Sequence, residues 1–575
     1  MNKLEAERPV ATAAYSHQNS STQNPTTPRT GSQILLEVLR SEGVELIFGN
    51  PGTTELALLD ALAGADDLHY VLGLQEASVL GMADGYAQAS GKVAFVNLHA
   101  SAGLGNAMGN LSNARMTNVP IVITAGQQDQ RHLVYDPLLT GDVVSMARPL
   151  CKWAQEVRTV EELPILLRRA FHDAATYPCG PVFLSLPMDV MEAISDLPLP
   201  ARTARAEFEA PSMDEMARRL TDLPARTCIV AGELVARSGA VDALVQIAEA
   251  LDVPVFGSPF HTDIPFPVEH PLWQHNLPIE HRGMLRSLEQ FERILVIDDH
   301  PFLMYNYTDT LPYKQGTRLL QMASHREAIG RCHAVEFGVA GSLGGMLTSL
   351  SKLLEDKNTP AAKPTMLRRI TERSQEESDR NALLANLKQD DQIHPLQAAA
   401  EILKAVPQQA RIVDESLATN AYVRRLLHGR KQGHYHFMKG AGLGWGMPAA
   451  VGVALAHTDD PVVCLVGDGA ALYSPQAMWT AAHLELPVTF IVLNNAEYNI
   501  LKNYLRSRTG SNGSHGRFVG MEIDKPTIDY VAMAESYGLS AQRFTGIEGL
   551  RQAIKEAIYS SRPSLIEVMI TPVAY

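Results

Sequence analysis

Two polar turns near the C-terminal end of the chain contain side chains that could bind a metal ion. The first places Asp468 between Gly467 and Gly469, and the second ends in Asn495. Each turn follows an apolar run typical of a buried strand, and the segment 474–486 between them is predicted to be a helix. Parallel strands joined in this way end at the same edge of a sheet, so the two side chains are expected to lie close together. A carboxylate and an amide oxygen are hard ligands, suited to a Mg²⁺ that also binds phosphate groups.

Three further polar side chains follow apolar runs near the N-terminal end of the chain. They are Thr53, Glu76 and His99. Thr53 is predicted to follow a strand and a Pro-Gly turn, and Glu76 and His99 are each predicted to end a strand. A glutamate in that position is ordinarily a solvated cap, and a single histidine is more often structural than catalytic. Glu76 differs from the ordinary case because the run around it is otherwise uncharged and expected to be buried. The three strands are predicted to bring these side chains to one sheet edge.

Composition is typical of a large globular enzyme. At 575 residues and 62.7 kDa, the chain is too long for one core, and about three domains are expected. The net charge of −14 argues against a nucleic acid or an anionic membrane as partner. The five cysteines are scattered without metal-ligand spacing, which is typical of a reducing compartment. No apolar run has transmembrane length, so we expect a cytoplasmic protein.

Alternating strand and helix patterns predict an α/β protein with three doubly wound parallel-sheet domains. The central domain opens with a Rossmann-like strand at 227–231, but it lacks GxGxxG, so the sequence does not support a dinucleotide. The predicted divisions are a disordered tail at 1–31, a first domain at 32–198, a central Rossmann-like domain at 205–360, an exposed linker with a helix at 361–393 and a last domain at 394–575.

The turns around Asp468 and Asn495 resemble the diphosphate- and Mg²⁺-binding motif of thiamine-diphosphate enzymes. Other stretches resemble the benzoylformate decarboxylase family, in the same order from about residue 32 to the C-terminus. These stretches are 48–55, 74–77, 83–87, 97–99, 125–128, 441–444, 448–450 and 479–482. The resemblance implies thiamine diphosphate and Mg²⁺ as cofactors, with the pyrimidine ring on the first domain and the diphosphate on the last.

The resemblance also assigns cofactor and metal contacts. The metal ligands would be the Asp468 carboxylate, the Asn495 side chain and the backbone carbonyl of Glu497. The predicted cofactor-binding residues are Glu76, Asn106, Ala441, Leu443, Gly467, Gly469 and Ile500. Within this set the Ala441 carbonyl would accept from the aminopyrimidine N4′, and Leu443 would support the bent shape of the cofactor. The two glycines would let the backbone approach the diphosphate closely.

Three catalytic residues follow from the same resemblance. Glu76 would contact the aminopyrimidine N1′, and His99 would transfer protons during decarboxylation or product release. Thr53 stands where the family has a serine, so the hydroxyl that would hold the substrate carboxylate is retained. Glu55 is a weaker candidate, for the polarity of the pocket.

Two departures from the family pattern concern the substrate. The predicted substrate pocket contains Thr53, Tyr305, Ile500, Leu501 and Tyr504. Tyr305 stands where the family has a second pocket histidine, and a neutral phenol is a poor proton relay. Ile500 stands where the family has a small alanine, so it removes space that an aryl group would use. The change at Ile500 favours a smaller or aliphatic 2-oxo acid. The change at Tyr305 somewhat favours a carboligating reaction, because slower protonation leaves the intermediate longer-lived.

The sequence therefore predicts a thiamine-diphosphate- and Mg²⁺-dependent decarboxylase that converts a 2-oxo acid to an aldehyde and CO₂. One alternative is a carboligating synthase of the acetolactate synthase type. Another is a non-catalytic homologue, against which the retention of Glu76, His99, Asp468 and Asn495 argues. Related enzymes bind the cofactor between two subunits, which implies a homodimer as the smallest active unit and a homotetramer as the assembly.

Overall fold

The computed structural model describes residues 27–202, 210–221, 226–355, 363–387, 392–508 and 510–573. Most of the predicted N-terminal tail lies outside these residues, but its last part was predicted wrongly. Arg29–Thr30 form a strand that pairs antiparallel with Ile194–Ser195, and a helix begins at Gly31. Thr30 caps this helix, because its hydroxyl accepts from the Gln33 backbone while the Gln33 side chain accepts from the Thr30 backbone.

The N-terminal domain is built on a parallel sheet with apolar cores on both faces. Neighbouring residues of one strand, such as Ile47 and Phe48, belong to different cores, as a doubly wound sheet requires. The strands are β1 Arg29–Thr30, β2 Leu46–Gly49, β3 His69–Leu72, β4 Ala94–Leu98, β5 Ile121–Gln127, β6 Ala154–Glu156, β7 Val182–Pro187 and β8 Ile194–Ser195. The helices are α1 Gly31–Glu42, α2 Leu56–Leu62, α3 Glu76–Ser90, α4 Ala100–Met116, α5 Val143–Ala147, α6 Leu163–Ala175 and α7 Met188–Glu192. The sheet order is β3-β2-β4-β5-β7-β6.

The central domain contains a second parallel sheet. Its strands are β9 Thr227–Ala231, β10 Val255–Gly257, β11 Trp273–Asn276, β12 Arg293–Ile297, β13 Arg318–Ala323 and β14 Phe337–Ala340. Its helices are α8 Asp214–Thr221, α9 Glu233–Arg237, α10 Val241–Leu251, α11 His281–Leu288 and α12 Leu343–Glu355. The order β11-β10-β9-β12-β13-β14 is that of a Rossmann sheet, with its switch point between β9 and β12.

The linker contains helix α13, Pro364–Asn386. Its side chains reach the central domain, because Arg373 donates to the backbone oxygens of Val268, at 2.8 Å, and Trp273, at 3.2 Å. The linker helix is therefore fastened to the central domain along one side.

The C-terminal domain repeats the topology of the N-terminal one. Its strands are β15 Arg411–Glu415, β16 Tyr435–Phe437, β17 Val462–Gly467, β18 Val488–Asn494, β19 Ser540–Phe544 and β20 Ser564–Met569. Its helices are α14 Pro395–Ala405, α15 Asn420–Arg425, α16 Gly446–Ala456, α17 Asp468–Ala471, α18 Ala477–His483, α19 Asn499–Arg506, α20 Tyr530–Ser536 and α21 Leu550–Tyr559. The order β16-β15-β17-β18-β20-β19 matches the N-terminal sheet strand for strand. The predicted fold class, three doubly wound parallel-sheet domains, is confirmed.

The N- and C-terminal domains of one chain meet where helices α3 and α16 pack at very short range. A Cβ on Gly452 would lie 1.9 Å from the Met82 carbonyl oxygen, and one on Gly85 would lie 2.2 Å from the Ala449 carbonyl oxygen. Only glycine permits this backbone approach. The helix that begins with Glu76 is therefore held firmly against the C-terminal domain.

Two predicted elements differ from the structure. Glu76 is the first residue of helix α3 and not the end of a strand, because the Gln75 side chain accepts from the Ser78 backbone and caps the helix. The helix predicted over 474–486 is shorter and spans Ala477–His483. Within the described residues, no helix is long and apolar enough to cross a membrane.

Candidate active site

Glu76 lies at the carboxyl edge of the N-terminal sheet, with its side chain held by two amides. The residue is buried, and Asn50 donates to Oε1 at 3.2 Å while Asn106 donates to Oε2 at 2.9 Å. Gly103 faces the same carboxylate, and a Cβ there would lie 3.3 Å from Oε1. The carboxylate is thus fixed in one orientation before any ligand arrives.

The sequence did not single out Asn50 as a functional residue. The feature that could have identified Asn50 is its position in the Gly49-Asn50-Pro51-Gly52 turn after β2, at the sheet edge where Glu76 was expected. Asn106, predicted to touch the cofactor, reaches Glu76 in the structure.

His99 is oriented by a buried carboxylate. Its Nδ1 lies 2.9 Å from Glu55 Oε2 and 3.1 Å from the Thr54 hydroxyl. Glu55 is held in turn, since Oε1 accepts from the Gly126 backbone at 3.1 Å. This arrangement engages Nδ1 and leaves Nε2 as the ring nitrogen that can meet a substrate. Glu55, expected only to make the pocket polar, is therefore the partner that orients His99.

Thr53 begins the short 3₁₀ turn Thr53–Glu55, and its own side chain is exposed. The preceding Gly52 packs against the imidazole, where a Cβ would lie 2.0 Å from His99 Nδ1. The turn therefore brings Thr53 beside the His99 cluster only because residue 52 is glycine.

Asp468 lies at the carboxyl end of β17 with one carboxylate oxygen unpartnered. Oδ1 accepts from the Gly469 backbone at 2.9 Å, whereas Oδ2 is buried without a hydrogen-bond partner among the described residues. Burial raises the pKa of Asp468 to about 6, although the backbone N–H groups of Gly469, Ala496 and Asn495 act in the opposite direction. An orphaned carboxylate oxygen beside an amide turn fits a bound cation.

The Asn495 turn follows β18, the neighbouring strand. Ala496 adopts the left-handed region, at φ 56°, and the Asn495 side-chain oxygen accepts from the Glu497 backbone at 3.1 Å. The Glu497 side chain forms an ion pair with Lys502 through Oε2, and the ligand predicted at this residue is its backbone carbonyl. The part of the chain that the structure describes contains no group of three or more His, Cys, Asp or Glu side chains suited to a metal. A cation here would depend on one carboxylate, one amide and one carbonyl.

The two glycines around Asp468 have different surroundings. A Cβ on Gly467 would meet nothing within 4 Å, whereas one on Gly469 would lie 2.5 Å from the Tyr498 ring. Gly469 is thus required by packing within the protein itself. Close approach of a diphosphate at Gly467 stays a prediction.

The predicted substrate residues come from three domains: Thr53 lies in the N-terminal domain, Tyr305 in the central domain and the other three in the C-terminal domain. Tyr305 and Tyr504 form an edge-to-face pair with ring centroids 5.7 Å apart, and the Tyr504 hydroxyl donates to the Asn306 side chain at 2.8 Å. Ile500 and Leu501 lie on α19, 38% and 45% exposed. Ile500 is one helical turn before Tyr504, so both are on one face of α19. The structure therefore groups Tyr305, Tyr504 and Ile500 on an open surface.

Ala441 and Leu443 lie in the loop of residues 438–445, between β16 and α16. Ala441 is exposed and has φ 57°, and Leu443 is half-buried. This loop and Asp468 both follow carboxyl ends of strands in the C-terminal sheet.

Family models match both the N-terminal region that contains Glu76 and His99 and the C-terminal region that contains Asp468 and Asn495. The N-terminal TPP binding domain of thiamine pyrophosphate enzymes matches residues 29–146, and the C-terminal TPP binding domain matches residues 418–568. A benzoylformate decarboxylase from Pseudomonas aeruginosa is 34% identical over 540 residues, which cover 92% of this chain and 97% of that protein. The chain belongs to the thiamine pyrophosphate enzyme family.

Other members of the family to which the chain is similar differ in the activity they are named for. A putative acetolactate synthase large subunit from Mycobacterium tuberculosis is 28% identical, covering 94% of this chain and 99% of that one. A solved structure of the thiamine diphosphate-dependent 4-hydroxybenzoylformate decarboxylase from Rhodococcus jostii RHA1 has 31% identity and a TM-score of 0.85. The matched region covers 95% of this chain and 100% of the Rhodococcus chain. The predicted family and thiamine diphosphate as cofactor are confirmed.

Proposed function

We propose that this enzyme decarboxylates a 2-oxo acid to an aldehyde and CO₂, with thiamine diphosphate and Mg²⁺. The observation that favours this reaction is the pairing of His99 with Glu55, at 2.9 Å. Decarboxylation followed by aldehyde release needs a proton delivered to the product carbon, and an imidazole with one fixed nitrogen is suited to that step. The similarity to two decarboxylases over nearly the whole chain supports the same assignment.

Each cluster has a distinct part in this proposal. The cofactor supplies a carbon nucleophile and an electron sink when bound. Glu76, held by Asn50 and Asn106, binds the aminopyrimidine ring and exchanges a proton with it. Asp468 and Asn495 hold the Mg²⁺ and through it the diphosphate. The Thr53 hydroxyl orients the substrate carboxylate beside His99.

The substrate is proposed to be smaller than an aryl 2-oxo acid, because Ile500 occupies the face of α19 near Tyr504. Ile500→Ala should raise kcat/KM for benzoylformate relative to a short aliphatic 2-oxo acid, by about 10-fold or more. The measurement is the ratio of the two kcat/KM values in wild type and variant.

Ile370→Ala is the matched control, since Ile370 is an isoleucine of similar exposure, 45%, on the linker helix. The control should leave the ratio unchanged. An unchanged ratio in Ile500→Ala as well would remove Ile500 from the substrate pocket.

A carboligating synthase is the second candidate. Tyr305 replaces the family's second pocket histidine, and slower protonation would favour transfer of the substrate carbon to a second carbonyl compound. The similarity of this chain to acetolactate synthases supports this second candidate. Analysis of the products from pyruvate and from benzoylformate separates the two candidates. The proposal requires aldehyde and CO₂, whereas CO₂ with a 2-hydroxy-3-oxo acid as the main product would favour the synthase.

We propose that two subunits share each cofactor. In one chain Thr53 and Ala441 are exposed, and an apolar stretch protrudes at the His99 edge, with Val134, Tyr135 and Leu138 at least 77% exposed. Apolar surface of this kind marks an interface. A dimer is then the smallest active unit, and a tetramer forms from two dimers.

Mixed dimers test this arrangement. Glu76→Gln and Asp468→Ala subunits should each be inactive alone, but in a mixed dimer one of the two sites contains both native residues. Co-expression should recover about a quarter of wild-type activity if pairing is random, because half of the dimers are mixed and each has one intact site. Two different affinity tags show whether mixed dimers form. If they form and no activity is recovered, both residues act within one chain.

A further inference from the structure

A buried ion pair joins the C-terminal domain to the central domain. Lys439 Nζ lies 2.7 Å from Glu233 Oε1, and the two side chains are 2% and 6% exposed. Burial lowers the pKa of Lys439, but the carboxylates of Asp298 and Glu233 outweigh that effect and raise it. The lysine therefore keeps its charge inside the protein.

The pair fills the switch-point crevice of the central sheet. Glu233 follows β9 and Asp298 follows β12, the strands at which the order reverses. The crevice is tight, since a Cβ on Gly232 would lie 2.0 Å from Asp298 Oδ2. Sheets of this order place ligands at this point. Here the C-terminal domain inserts a side chain of its own.

Lys439 belongs to the 438–445 loop. Side chains of the N-terminal domain and of the loop's own C-terminal domain also hydrogen-bond this loop. Asn113, on α4 of the N-terminal domain, donates to the Gly442 carbonyl at 2.8 Å and accepts from the Gly442 backbone at 2.9 Å. Glu415, at the end of β15, accepts from the Gly444 backbone at 2.7 Å. Each domain thus supplies at least one anchoring side chain to this loop, and the N-terminal domain supplies a second, since Asn110 donates to the Gly444 carbonyl at 3.3 Å.

Resting on the proposed function, we propose that Lys439 is a positioning residue for the cofactor, fixing Ala441 and Leu443 through its ion pair with Glu233. A left-handed Ala441 costs free energy and persists only where the surroundings impose it. A buried ion pair adds little net stability compared with apolar residues, but removing one partner is costly. The contribution of this pair is therefore to geometry, and a double variant separates geometry from stability.

The test compares Lys439→Met with the double variant Glu233→Gln/Lys439→Met. The single variant leaves Glu233 unpaired and should lower the melting temperature of the cofactor-free protein. The double variant removes the lone Glu233 charge and should regain part of that loss, although the Asp298 carboxylate that also faces Lys439 remains. The affinity of the double variant for thiamine diphosphate, measured by calorimetry at saturating Mg²⁺, should still be about 10-fold below wild type or weaker, as when a supporting contact is removed.

Asp263→Asn is the matched control. Asp263 is buried at the same domain interface and accepts from the Gly433 backbone at 2.8 Å, outside the loop. This variant should lower the melting temperature and keep cofactor affinity within about twofold of wild type. A stable double variant that binds the cofactor as tightly as wild type would overturn the positioning role alone. If the wild-type protein binds no thiamine diphosphate, both the positioning role and the proposed function are overturned.

Discussion

Asp468→Ala should abolish binding of thiamine diphosphate. The substitution removes the buried carboxylate whose Oδ2 has no hydrogen-bond partner among the residues that the structure describes, and this carboxylate is the one charged ligand in the proposed metal site. Without the cation, the diphosphate would face the sheet edge without charge compensation. Calorimetric titration at millimolar Mg²⁺ should show no binding in the variant.

Asp263→Ala controls for the loss of a buried aspartate. Burial raises the pKa of Asp263 to about 6, as it does for Asp468, but Asp263 lies in the central domain. This control should bind the cofactor like wild type, even if its melting temperature falls. Micromolar affinity retained in Asp468→Ala would mean that the Gly467–Gly469 turn is structural only.

Glu76→Gln should leave the fold and most of the cofactor affinity in place while lowering kcat by about 100-fold or more. The amide keeps the size of the side chain and can still accept from Asn50 or Asn106, but it cannot exchange a proton with the aminopyrimidine. Steady-state kinetics and calorimetry on the same preparation measure the two effects separately.

Glu156→Gln is the control for Glu76→Gln. Glu156 ends β6 at the same sheet edge and accepts from the Ser185 hydroxyl at 2.9 Å. Its variant should turn over like wild type. Near-wild-type turnover in Glu76→Gln would remove that residue from the catalytic role.

The proximity of Asp468 to the Asn495 turn could be predicted because it depends only on the order of strands in one βαβ unit. Both follow apolar strands of one βαβ unit, and the pairing of β17 with β18 sets Gly467 opposite Leu493. Topology alone then places the two turns side by side. The functions assigned to these residues stay predictions.

The surroundings of Glu76 were only partly predictable. Its place at the sheet edge follows from β3, but the Gln75 cap that starts α3 outweighed the apolar run that predicted a strand. Asn50 and Asn106 approach Glu76 from the β2 turn and from α4, through contacts 26 and 30 residues apart in sequence. Side-chain hydrogen bonds of this kind have no periodic signal.

The Lys439–Glu233 pair could not be predicted from the sequence. The two residues are 206 positions apart and belong to different domains. A lysine in a glycine-rich loop is ordinarily exposed, and nothing in its neighbours indicates burial. Only the packing of the C-terminal loop into the central crevice reveals the pair.

The proposed reaction is tested most directly by following CO₂ release from a panel of aliphatic and aryl 2-oxo acids with the wild-type enzyme. Each acid is assayed with thiamine diphosphate and Mg²⁺ together, and with either one left out. We expect equal amounts of CO₂ and aldehyde from at least one short or aliphatic acid, and no release when either cofactor is missing. Binding of the cofactor without CO₂ release from any acid, or release that does not depend on it, would contradict the assignment.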